Sequence, residues 1–120
     1  MNRALRERLI EAASTEDEFV HYREVADILD LPDDLRLDQA TEMYEALDEI
    51  STFEHEHGRP LLTAVVVHVV DHMPGKGFFK MAKRTGKQKP GQDDDKFFFD
   101  ELHDLREYWR SQARAKGPGN

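Results

Sequence analysis

Six histidines and a large set of carboxylates are the first residues of this chain that have the means for chemistry. His55-Glu56-His57 carries the HxH spacing found in some metal sites, and His68, Asp71 and His72 follow soon after it. Neutral imidazoles with a carboxylate suit zinc or a similar divalent ion. If 68–72 were extended, His68 and His72 would share a face, and the turn beyond would bring His72 back towards His55. The competing reading is structural: His55 and His57 fall at a predicted helix C-terminus, where the dipole favours imidazolium with or without a metal. No HExxH or comparable fixed spacing occurs. The expectation is no metal, no cofactor, and less than stoichiometric zinc in purified protein.

Other catalytic routes are thin. Cysteine is missing from the composition, which removes thiol nucleophiles, thiolate metal sites and disulfides. There is no GxSxG elbow, no GxxxxGK[ST] loop and no GxGxxG fingerprint. Gly75-Lys76-Gly77 is too short for a phosphate cradle, and Asp71 with Lys76 is a fragment of a nuclease site. The residues point away from an enzyme and assign no catalytic group.

Charge carries more information. Between His72 and Gln92 lie six basic residues (Lys76, Lys80, Lys83, Arg84, Lys87 and Lys89) and no Asp or Glu, a local charge of +6. Between Glu11 and His57 sixteen acidic residues face Arg23 and Arg36 alone, a local −14. The overall −8 therefore hides two opposite fields, and local field steers polyanions and polycations. Phe78, Phe79 and Met81 interleave with the cations, so the apolar side chains would anchor the segment while the charges face water. In a helix, Lys76, Lys80, Lys83, Arg84 and Lys87 fall along one side, and phosphate contact needs little more. Pairing of those cations with the chain's own acidic helices is the alternative.

The elements that must position these residues follow from periodicity. Ala4, Leu5, Leu9, Ile10, Ala12 and Ala13 mark a helix over 2–14. Thr15 and Glu18 have capping-box spacing. From Phe19 to Asp30 two readings stand: a continuous helix, or a short extended Phe19–Tyr22 followed by a helix over 23–31. Pro32-Asp33-Asp34 breaks the chain. Asp38 then caps a long helix to about Glu54 through Leu37, Ala40, Met43, Tyr44, Leu47 and Ile50. Leu61–Val70 is Val-rich on both alternating faces and reads as a strand covered on both sides. After a Pro74-Gly75 turn, Phe78–Arg84 reads as a returning strand or, better, as a helix closed by Gly86. Lys87–Asp95 reads as a mobile loop. Asp93, Asp94 and Asp95 cap a last helix with Phe98, Leu102, Leu105 and Trp109 on one face.

At 120 residues, 38 % hydrophobic and 35 % charged, the chain fits one folded domain, taken as 1–115 with a flexible tail at 116–120. Its longest apolar run, Ala64–Val67, is far too short to span a membrane. Met1-Asn2-Arg3 leads straight into charge without an apolar stretch, so no secretory signal and a cytoplasmic setting are expected.

Two family resemblances add to this. Tyr22-Arg23-Glu24-Val25-Ala26-Asp27-Ile28-Leu29 resembles the tyrosine-plus-helix opening of the winged helix-turn-helix in DNA alkyltransferases and alkyltransferase-like proteins. That likeness implies a turn at 31–37, a recognition helix at 38–54 and DNA binding. Alkyl transfer itself is excluded, because the Pro-Cys-His-Arg motif needs a cysteine. The implied recognition helix holds Asp38, Glu42, Glu45, Asp48 and Glu49 without Lys or Arg, which would repel a major groove. Separately, Gly58-Arg59-Pro60-Leu61-Leu62-Thr63-Ala64-Val65-Val66-Val67 with Pro74-Gly75-Lys76-Gly77-Phe78-Phe79 is similar to uncharacterised bacterial proteins, some beside restriction-type systems. It assigns no catalytic residue.

The combined expectation is a small winged-helix-like α+β domain, four or five helices around a short antiparallel sheet. Its expected role is non-enzymatic: a nucleic-acid-binding or accessory module that contacts phosphate through Lys76, Lys80, Lys83, Arg84, Lys87 and Lys89. The other reading is an acidic protein-interaction module that docks a basic partner or mimics a phosphate backbone.

Overall fold

The protein is described by a computed structural model covering residues 1–116; of the expected tail 116–120, residues 117–120 lie outside the described residues. The apolar run beginning at Leu61 passes through the middle of the fold. Three helices, α1 (Arg3–Ser14), α3 (Thr41–Glu56) and α5 (Asp94–Lys116), pack on its 3-10 turn, Leu62–Val65. Leu61 to Val67 are all buried. The burial is as expected, yet its cause is different. The helices enclose this segment on several sides, and apolar continuity cannot distinguish that from a strand between two layers.

No antiparallel sheet is present among the described residues. Their one sheet is a parallel pair, β1 (Val20–His21) with β2 (Val66–Val67), in which Val20 lies opposite Val66 and His21 opposite Val67. The winged-helix-like class with an antiparallel sheet is thus corrected to a mainly helical fold, completed by α2 (Tyr22–Ile28) and α4 (Lys76–Arg84). The expected strand also stops early. His68, Val69 and Val70 turn out into solvent, Val70 being 95 % exposed.

The part of this segment that precedes β2 has no strand beside it and must satisfy its backbone elsewhere. The Leu61 N–H donates to Glu101 Oε2 at 2.7 Å, and the Thr63 N–H donates to Ser51 Oγ at 3.3 Å. Ser51 Oγ and Thr63 Oγ1 lie 2.6 Å apart in a second buried hydrogen bond. Two helix side chains thus take the place of an adjoining strand. Burial pushes the Glu101 carboxyl above its ordinary range, against the opposing pull of the Leu61 N–H and of Lys87 at 3.6 Å.

The ends of the elements refine the sequence reading. Thr15 does not cap a new helix. It ends α1, its hydroxyl donating to the Glu11 carbonyl, and the next piece is extended before α2 begins. Arg106 closes that end of α1 from α5, donating to the carbonyls of Ala12, Thr15 and Glu18. Asp38 lies in a 3-10 turn, Leu37–Gln39, and pairs with Arg36 at 3.1 Å rather than capping α3. Asp93 does cap the last helix, its Oδ2 accepting from the Lys96 N–H at 2.9 Å. The stretch expected as a mobile loop is tied down by Gln88, which is 1 % exposed. Its backbone N–H donates to the Ala82 carbonyl, and its Nε2 to the Gln92 carbonyl and Asp94 Oδ1.

Candidate functional site

Helix α4 turns Phe78, Phe79, Met81 and Ala82 inward and so presents its cations outward. Its start is fixed by Gly75, whose N–H donates to the Tyr22 hydroxyl at 2.8 Å. A Cβ at position 75 would lie 3.2 Å from that hydroxyl and 3.3 Å from His68 Nε2, so this approach needs glycine or a shift of both rings. Burial raises Tyr22 to a pKa of about 12, and the His68 ring stacks over it at 4.6 Å.

The six basic residues do not form one free patch. Lys83 Nζ lies 3.4 Å from Asp94, Arg84 lies 3.8 Å from Asp48, and Lys87 reaches Glu101. Lys89 lies beyond the helix and donates from Nζ to the Gly86 carbonyl at 2.9 Å. Lys76 and Lys80 have no ion-pair partner among the described residues. With Phe79, Lys83 and Asp94 they border a shallow cleft of about 200 Å³. The structure therefore brings Lys76, Lys80 and Lys83 together and divides the remaining three among intramolecular contacts.

Helix α3 has the opposite character. Its inner face buries Met43, Leu47, Ile50, Ser51 and Glu54. Its outer face carries Glu42, Glu45, Glu49 and Glu56 at spacings of three, four and seven residues, which place them along one stripe with Asp48 beside it. Glu45, Asp48, Glu49 and Glu56 border a groove of about 430 Å³ whose lining is mainly apolar and includes Met1, Thr52 and Phe53. Asp48 is held by Arg84, and burial raises its carboxyl pKa against that pull. The Met1 amine lies 2.7 Å from Glu49. Glu42, Glu45 and Glu56 have no ion-pair partner among the described residues.

The Phe53 ring, which lines this groove, is contacted by two cations. The Arg6 and Arg59 guanidinium groups each lie 5.4 Å from its centroid, and both are bound to the fully buried Glu54. Arg6 donates to Glu54 Oε1 at 2.9 Å, and Arg59 to Oε2 at 2.8 Å. The hydrogen bond to Glu54 holds the Arg59 guanidinium even more firmly protonated than usual. This buried knot ties α1 and the chain after α3 to the middle of the helix bundle.

The histidines are spread over separate settings. His57 Nδ1 bonds the Phe53 carbonyl at 2.8 Å, a C-terminal helix contact. His72 meets Phe19 edge-on at 5.9 Å and His21 at 6.3 Å, while His68 stacks on Tyr22. No group of three or more His, Asp or Glu side chains converges among the described residues. Among the described residues no helix is long and apolar enough to cross a membrane.

The sequence showed the acidic residues of α3 but not the groove among them. The signal was present in the spacing of Glu42, Glu45, Glu49, Thr52 and Glu56, a polar stripe opposite Met43, Leu47 and Ile50. Phe53 at the end of that stripe supplies the apolar floor. Compared with protein-family models, curated proteins and solved structures, the chain gives no match.

Proposed function

We propose that the protein is a non-enzymatic interaction module whose acidic α3 face docks a basic protein segment. The observation that carries this reading is the unequal state of the two charged faces. Four of the six expected phosphate-binding cations already contact groups of the same chain, whereas Glu42, Glu45 and Glu56 have no ion-pair partner among the described residues. A carboxylate stripe on a −8 chain attracts cations over several ångströms and repels nucleic acid. The same stripe also imitates the spaced charge of a phosphate backbone, which is the form of the reading that concerns proteins acting on nucleic acids.

Fluorescence anisotropy with a labelled Lys/Arg-rich peptide tests it. Binding should weaken with salt, and changing Glu42, Glu45, Glu49 and Glu56 together to Gln should lower affinity by roughly tenfold or more, given a few tenths to 1 kcal/mol per exposed charge. Equal binding by the two proteins would reject the α3 face as the site.

A second reading rests on Lys76 and Lys80, which have no carboxylate partner among the described residues and stand beside Lys83. Phosphate contact would then use these three and not all six. Changing them to Gln should flatten the log–log salt dependence of duplex DNA binding by roughly 2 to 3.

A further inference from the structure

We infer that the α3 groove receives an apolar side chain flanked by lysines or arginines, so that the partner is a short cationic amphipathic segment and not a uniformly charged one. This inference rests on the docking reading above and narrows the partner. Charge alone does not account for the groove. Its volume of about 430 Å³ falls within the range of pockets that enclose ligand groups, about 300–1,000 Å³. Its lining is mainly apolar and includes Phe53, Thr52 and Met1 together with the carboxylates Glu45, Asp48, Glu49 and Glu56. From Glu45 to Glu56 the helix rises about 16 Å, some three turns, which matches a partner segment of similar length.

Two contacts within the chain show what these carboxylates attract. Arg84 already faces Asp48, and the Met1 amine already faces Glu49. A polyanion would meet like charge there. A wholly cationic segment would have to lay strongly hydrated ammonium groups over the Phe53 ring, losing hydration without filling the space. An apolar anchor fills it, and the flanking cations reach Glu45 and Glu56. Phe53 is also restrained before anything binds, because the Arg6 and Arg59 guanidinium groups that hold Glu54 each lie 5.4 Å from its ring centroid. Little ordering is then left to be done on binding.

Two synthetic peptides of equal length and equal positive charge decide the matter on the unaltered chain, one with two central leucines and one with serines there. The leucine peptide should bind at least about tenfold more tightly, as expected from burying one such side chain. Thr52→Phe, which fills the groove without changing charge, should abolish that preference while charge-driven binding persists. Its thermal midpoint serves as the check on folding. Equal affinity of the two peptides for the wild type overturns the apolar anchor and leaves the docking reading standing. A leucine preference that survives in folded Thr52→Phe overturns the groove as the seat of the anchor. Binding of neither peptide overturns the docking reading itself, and this inference with it.

Discussion

The two faces of α3 use the same side chain for opposite ends. On the inner face, Glu54 is fully buried and held by two arginines, and it fastens α1 and the chain after α3 together. On the outer face, Glu42, Glu45 and Glu56 stand in water without an ion-pair partner among the described residues. A buried carboxylate has lost its hydration and depends on its partners, so deleting one member of the set exposes the full cost of the others. An exposed one has lost nothing and contributes little to folding. Carboxylates that are dispensable for stability remain available for another molecule.

This contrast is broken most severely by placing a carboxylate inside without arginines. Val66→Asp, in the central segment, should cost roughly 4 kcal/mol and prevent stable folding, since it places a charge in the buried hydrophobic cluster. An unmoved thermal midpoint would refute the burial of that segment. Next in size is Glu54→Ala. It leaves Arg6 and Arg59 without their shared carboxylate, and about 3 kcal/mol should be lost in denaturant titration, the low end for a buried pair because both arginines still reach water.

Glu101 sharpens the comparison through pH. Its folded carboxyl titrates above the unfolded value because burial disfavours its charge. The folded state therefore holds the proton more tightly, and the contribution of this group to stability falls as pH rises from the ordinary Glu range through the folded pKa. Glu101→Gln lacks that titration but still offers an oxygen to the Leu61 N–H. The difference in stability, wild type minus Glu101→Gln, should thus decrease across this window as pH rises. A difference that stays flat or increases would contradict the account. The smallest effect belongs to the outer face. Glu42→Gln, Glu45→Gln and Glu56→Gln should each change stability by no more than about 0.5 kcal/mol, with a small gain from reduced repulsion, measured by thermal unfolding.

Particular residues show how far the sequence could be read. The α3 periodicity, the break at Pro32 and the Asp93 cap were legible because each depends on neighbours within one or two turns. Of the two readings for 19–30, the extended piece followed by a helix is the one that forms. The Val-rich run misled about the sheet, since its neighbours come from α1, α3 and α5, far away in sequence. Nothing local in the pattern marks Glu101 and Ser51 as acceptors for the Leu61 and Thr63 amides, from which they lie 40 and 12 residues away. The basic stretch was legible as charge. Its partners Asp48, Asp94 and Glu101 were not, because ion pairs between elements leave no periodic mark.

The central claim is that the acidic face, and not the basic one, meets the partner. It is tested most directly by titrating one preparation of wild-type protein, at about 50 mM salt, against a labelled cationic amphipathic peptide and a labelled DNA duplex in parallel. The account predicts saturable peptide binding that weakens with salt, and no change in the anisotropy of the duplex. Saturable, salt-dependent binding of the duplex with none of the peptide would contradict it and assign the contact to Lys76, Lys80 and Lys83.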